Sequence, residues 1–83
     1  MNVDRTTANH VLALWPNQYD RPPAGGYIQP NETERLLYLT ASALEGDDLA
    51  RLNLVFPKYV AAVQLLRRED GRDVLRAVAA NGV

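Results

Sequence analysis

Residues 16–30 form a segment that cannot be a regular helix. The segment holds four of the five prolines of the chain, together with the adjacent glycines Gly25 and Gly26. Proline lacks a backbone N–H and clashes with the preceding helical turn, and neighbouring glycines indicate a flexible turn. A loop of this length in a small domain is usually mobile or functional. The chain is therefore predicted to have one short helix before this loop and further helices after it.

The first helix is predicted over residues 4–15. Asp4 or Thr6 can cap it by accepting a hydrogen bond from a backbone N–H of the first turn. Apolar side chains recur at helical spacing along this stretch. Pro16 ends the helix, because the residue before a proline is displaced from the helical conformation.

A second helix is predicted over residues 31–45, directly after the loop. Asn31 and Glu34 have the spacing of a capping box, in which each side chain accepts from the other residue's backbone N–H. Acidic residues in a first turn also favour the positive end of the helix dipole. Gly46 suits the end of this helix.

Three more helices are predicted, over residues 47–56, 57–69 and 72–80. Asp47 is expected to cap the first of them. Pro57 either kinks one long helix or stands at the first position of a new one, and we favour the break. Because no stretch alternates polar and apolar residues as a strand does, the predicted fold is all-α. It is a small single-domain bundle of four to five short helices over residues 1–83.

The size of the chain limits how much apolar surface it can bury. A domain of 83 residues buries only about 60–65% of the surface that its unfolded chain exposes. Since 47% of the residues are hydrophobic, some apolar side chains should face a second copy, as in a homodimer, or another protein. The side chains predicted to be mostly buried are Leu37, Leu44, Leu52, Phe56, Val63, Leu66 and Val78.

Charge and cysteine content narrow the class of protein. The net charge of −1 argues against a dedicated nucleic-acid binder, which usually has a basic excess. The absence of cysteine excludes disulfides and thiolate metal sites. No stretch resembles a signal peptide or approaches the ~18 apolar residues of a membrane span. The sequence thus predicts a cytoplasmic protein that does not bind membranes.

Few residues are candidates for catalysis or metal binding. His10 is the only histidine, so it cannot share a metal with another, and it is expected to be a surface or half-buried side chain of the first helix. Ser42, the only serine, suits packing within the second helix. Glu45, Asp47 and Asp48 do not have the spacing of a calcium-binding loop. We therefore predict no enzymatic activity, cofactor or metal.

The leading functional prediction is a non-enzymatic protein–protein interaction module that acts as a homodimer or docks on a host protein. Aromatic side chains dominate binding hot spots, and the loop region supplies several. The candidate protein-binding residues are Trp15, Tyr19, Tyr27 and Ile28. The alternative is that this loop packs onto the helices as a compact lid. Small helical chains of this kind are common among phage and mobile-element accessory proteins, although no motif indicates that origin.

A small helical DNA-binding regulator is the alternative function. The densest basic cluster could contact phosphates, and it consists of Arg67, Arg68, Arg72 and Arg76. Acidic residues are interleaved with these arginines, which favours a solvated network of ion pairs. A helix-turn-helix fits poorly with either Gly46 or Gly71 as its turn glycine.

Overall fold

The computed structural model describes residues 3–81, and within that range it contains five helices and no strand. The predicted all-α class is confirmed. Among the described residues, no helix has the length and hydropathy needed to cross a membrane. The helices are α1 (Arg5–Leu14), α2 (Glu32–Ala43), α3 (Gly46–Val55), α4 (Pro57–Arg67) and α5 (Gly71–Asn81).

Capping boxes fix the first residues of α1 and α2. Asp4, rather than Thr6, caps α1: its carboxylate accepts from the backbone N–H of Thr7 at 2.8 Å. The predicted box of α2 is confirmed, since Asn31 accepts from the Glu34 N–H at 2.8 Å and Glu34 accepts from the Asn31 N–H at 3.1 Å. Each such cap is worth about 1 kcal/mol.

The turn between α2 and α3 differs from the prediction. The α2 helix ends at Ala43, and Leu44 is already extended. Gly46 has a φ of +60°, which an L side chain rarely adopts, and it is the first residue of α3. Glu45 therefore occupies the capping position without a side-chain hydrogen bond, and the prediction that Asp47 caps α3 is wrong. Asp47 lies in the first turn, where its charge favours the helix dipole.

Pro57 separates two helices, as the favoured prediction had it. It is the first residue of α4, where its missing N–H removes no helical hydrogen bond. Phe56 has non-helical dihedral angles, and it is both the C-cap of α3 and the N-cap of α4. The predicted end of α4 at residue 69 lies two residues beyond the observed end at Arg67.

A close backbone approach shapes the turn between α4 and α5. The α5 helix begins at Gly71, one residue before the predicted start. A Cβ atom at Gly71 would lie 1.6 Å from the carbonyl oxygen of Leu65. Only glycine therefore allows α5 to start this close to the end of α4.

The α4 helix lies at the centre of the bundle, because it contacts each of the other four helices. The α1 and α5 helices pack extensively against each other. In contrast, α3 contributes no buried residue. The buried apolar side chains are Val3, Ala8, Val11, Leu12, Tyr38, Ala41, Val60, Ala62, Val63, Leu65, Leu75 and Val78.

The predicted core is only partly correct. Val63 and Val78 are buried, but Phe56 is 37% exposed. The other four predicted core residues are leucines of intermediate exposure. They are Leu37 on α2, Leu44 directly after α2, Leu52 on α3 and Leu66 on α4. Since α3 has α4 as its main neighbour, its apolar face is covered from one side only.

Candidate protein-binding surface

The loop between α1 and α2 is anchored to α5 by a buried carboxylate. The side chain of Asp20 is only 5% exposed. Its two oxygens accept hydrogen bonds from Arg72 Nη1 and Arg76 Nε, each at 2.8 Å. The hydrogen bond to Asp20 raises the pKa of the Arg76 guanidinium. Sequence reasoning missed Asp20, because its partners lie 52 and 56 residues further along the chain.

Two further hydrogen bonds hold the ends of this loop. At its start, Arg72 Nη2 donates to the backbone carbonyl of Trp15 at 2.7 Å. Near its end, the backbone N–H of Ile28 donates to Asn9 Oδ1 at 3.2 Å. The amide of Asn9 is itself oriented by a bond to the Arg5 carbonyl at 2.9 Å. The loop is therefore held at its beginning, its middle and its end.

The four predicted protein-binding residues divide into two inward and two outward side chains. Trp15 and Tyr27 are partly buried and pack against the core. Burial also raises the pKa of the Tyr27 hydroxyl. Tyr19 and Ile28 are 75% and 57% exposed. Trp15 and Tyr27 thus pack the loop onto the helices, as expected if the loop is a compact lid. Tyr19 and Ile28 face solvent instead.

A groove of about 680 Å³ opens between the loop and two helices. The loop supplies both aromatic residues, and α1 and α5 supply the opposite wall. Its described lining residues include two arginines but no acidic residue. These are Asn9, Tyr19, Arg21, Pro23, Tyr27, Arg76, Ala79 and Ala80. We call the groove together with Tyr19 and Ile28 the loop surface.

The four arginines of the alternative nucleic-acid site all contact acceptors within the protein. Arg72 and Arg76 hold the loop through Asp20. Arg67 donates to a backbone carbonyl in the last turn of α2. Arg68 forms an ion pair with Asp70 at 3.3 Å. The structure does not bring these four side chains together as one unpaired basic surface.

His10 lies inside the bundle, which corrects the expectation of a surface or half-buried position. It is 4% exposed, and its Nδ1 is 3.0 Å from the hydroxyl of Tyr38. Burial lowers the pKa of His10, and the carboxylate of Glu34, 4.0 Å away, partly opposes that shift. A substrate could not reach this ring without local opening. Within residues 3–81, no group of three His, Cys, Asp or Glu side chains is placed to hold a metal ion.

An exposed apolar segment at the end of α3 is a second surface feature. Leu54 and Val55 are 84% and 68% exposed, and Phe56 follows them. The apolar spacing of this helix suggested core positions, among them Phe56. The sequence could not show that α4 is the main neighbour of α3 and that much of its apolar surface stays uncovered. We call these three residues the α3 apolar end.

No protein-family model, no curated protein and no solved structure matches the chain. Proposals about its function therefore depend on its own residues and their geometry.

Proposed function

We propose that this domain is a non-enzymatic protein-interaction module and that it binds a partner protein through the loop surface. The observation that carries the proposal is the contrast between two neighbouring residues. Asp20 is almost fully buried under two arginines, while Tyr19 beside it is 75% exposed. The anchor holds the backbone so that the aromatic side chain faces solvent.

Rigidity of the loop favours binding. A flexible loop loses conformational entropy when a partner orders it, at about 0.5–1.5 kcal/mol for each immobilised side chain. The hydrogen bonds that Trp15 and Asp20 accept, and the one that the Ile28 N–H donates, order this loop before any partner arrives. Tyrosine is enriched at binding hot spots, because it offers a large contact area with a polar tip.

The exposed side chains also favour an interaction role over a purely structural one. Ile28 is 57% exposed, so burying the rest of its side chain against a partner is worth roughly 1–2 kcal/mol. Binding residues are often found on loops that a rigid scaffold positions. The non-enzymatic part of the proposal is supported by the burial of His10, which removes the one imidazole from contact with solvent.

Site-specific photo-crosslinking in the source cells tests this proposal. A benzophenone amino acid is placed at Tyr19, at Ile28 and, as a control outside both surface features, at the exposed Thr40 on α2. We expect a discrete protein adduct from positions 19 and 28 and none from position 40. Absence of adducts at both loop positions, or equal adducts at all three, would contradict binding through the loop surface.

Sedimentation velocity at micromolar concentration identifies whether that partner is another protein or a second copy. A monomer together with adducts whose mass differs from that of two copies of the chain indicates a different protein. A dimer that Tyr19→Ala dissociates indicates that the loop surface binds a second copy. A dimer that only Leu54→Ser dissociates assigns self-association to the α3 apolar end instead.

A further inference from the structure

The groove of the loop surface has an unusual charge for this chain. The whole sequence has ten acidic and nine basic residues. The described lining of the groove contains Arg21 and Arg76 and no acidic residue. The acidic neighbours Asp20 and Asp73 are both engaged by arginines. The charge offered to a ligand in the groove is therefore positive.

Arg21 is the main source of that positive charge. Among the described residues, its guanidinium forms no ion pair and no side-chain hydrogen bond, although it follows the buried Asp20 directly. Arg76 uses Nε for Asp20 and Nη1 for Asp73, and its Nη2 donates to no described residue. Guanidinium groups bind carboxylates with two parallel hydrogen bonds, which makes this contact strong and directional.

The rest of the groove is aromatic and apolar. Tyr19 and Tyr27 contribute their rings, and Pro23, Ala79 and Ala80 contribute small apolar faces. Tyr27 is fixed by packing against the core. A volume of about 680 Å³ suits a few side chains and lies within the range of ligand sites, roughly 300–1,000 Å³. The groove therefore combines an anion contact with an apolar contact.

We propose that the groove binds an extended acidic segment of the partner protein. In this arrangement a carboxylate of the segment pairs with Arg21, and a neighbouring aromatic or aliphatic side chain packs between Tyr19 and Tyr27. Arg76 adds a second donor through Nη2 while it continues to hold Asp20. This inference rests on the proposed function and specifies the chemistry of the partner that the loop surface recognises.

Selection from a random dodecapeptide library displayed on phage tests the proposal with the full chain as bait. We expect the enriched peptides to carry Asp or Glu beside an aromatic or aliphatic residue. A synthetic copy of the leading peptide should lose about two- to fivefold in affinity when its acidic residue is changed to the amide, a loss typical of an exposed ion pair. Fluorescence anisotropy measures that affinity.

Variants of the protein locate the contact. Arg21→Gln should weaken binding of the leading peptide about two- to fivefold. Arg21→Lys should weaken it less, because lysine keeps the charge but not the paired hydrogen bonds. Arg51→Gln removes an exposed arginine from α3 and should leave the affinity unchanged. Because Arg21 makes no polar contact with the described residues, its variants should keep the wild-type melting temperature.

The outcomes separate this inference from the proposed function. Enrichment of neutral or basic peptides, or equal binding by Arg21→Gln and wild type, would overturn the acidic-segment proposal. If crosslinks from Tyr19 still form in that case, the loop surface remains the binding site and only its assigned chemistry is wrong. Failure of both the crosslinks and the peptide selection would overturn the two proposals together.

Discussion

Replacing the buried carboxylate with an amide, as in Asp20→Asn, should release the loop while leaving the helices folded. Asparagine has nearly the same shape, but one carboxylate oxygen becomes an N–H donor. That donor would face one of the guanidinium groups of Arg72 and Arg76, which supply only donors themselves. One arginine then loses its acceptor, and the other loses the charge of its partner.

The size of the effect follows from the burial of the three side chains. Removing one partner of a fully buried ion pair costs about 3–5 kcal/mol. Asp20 is 5% exposed, but Arg72 and Arg76 are 22% and 32% exposed, so water compensates part of the loss. We therefore expect the free energy of loop docking to fall by about 2 kcal/mol, below the fully buried range.

Hydrogen exchange at the backbone N–H of Ile28 measures this loss directly. That N–H donates to Asn9 at the end of the loop, so its protection reports how often the loop leaves α1. A loss of 2 kcal/mol corresponds to exchange that is faster by about thirtyfold. Amide protons in the centre of α4 should change much less, because none of the fully buried core residues lies in residues 16–30.

Asp73→Asn is the matched control. Asp73 also pairs with Arg76, at 2.6 Å, but its side chain is 80% exposed. Exposed ion pairs of this kind contribute little, so exchange at Ile28 should not change measurably. If Asp20→Asn and Asp73→Asn accelerate that exchange equally, the buried carboxylate does not anchor the loop, and the loop surface is not held rigid by it.

Three other expectations are independent of the loop anchor. Burial lowers the pKa of His10 below its ordinary value of 6.5. The free energy of unfolding should therefore be constant above that pH and should decrease as the pH falls below it. Urea unfolding at several pH values should show this dependence, and His10→Gln should reduce it. Gly71→Ala should lower the free energy of unfolding by about 2–4 kcal/mol, because its Cβ would meet the Leu65 carbonyl. Gly26→Ala should lower it by only about 1–2 kcal/mol, because its Cβ would meet no atom and only its φ of +84° disfavours alanine. A gel-shift titration with duplex and single-stranded DNA at low salt should show no complex at tens of micromolar, whereas tight, salt-sensitive binding that Arg68→Glu abolishes would favour the DNA-binding alternative.

Local features of the sequence predicted the helices well. Asn31 and Glu34 are three residues apart, and their capping box depends on nothing beyond that turn. Pro57 starts a helix because of its own missing N–H. The α2–α3 turn was harder to predict from the sequence, because a glycine such as Gly46 suits the end of one helix as well as the start of the next. Only the structure, in which Gly46 has a φ of +60°, shows that it begins α3.

Only part of the candidate site could be predicted from the sequence. The loop was identified from its prolines, glycines and aromatic residues, but their spacing could not show that Trp15 and Tyr27 face inward while Tyr19 and Ile28 face outward. That division depends on Asp20, whose contacts are distant in the sequence and require a folded α5.

The packing of α1 against α5 also has a consequence for synthesis on the ribosome. Residues 15–70 separate the two helices, so α1 cannot pack against α5 until that segment and α5 have been synthesised. Contacts between distant residues close slowly, because the loop entropy is lost before the contact forms. We expect α2, α3 and α4 to collapse first, with α1 and its loop joining only after α5 leaves the exit tunnel. Nascent chains stalled with α5 still inside the tunnel should therefore be cleaved by protease in residues 16–30, and full release should protect that segment.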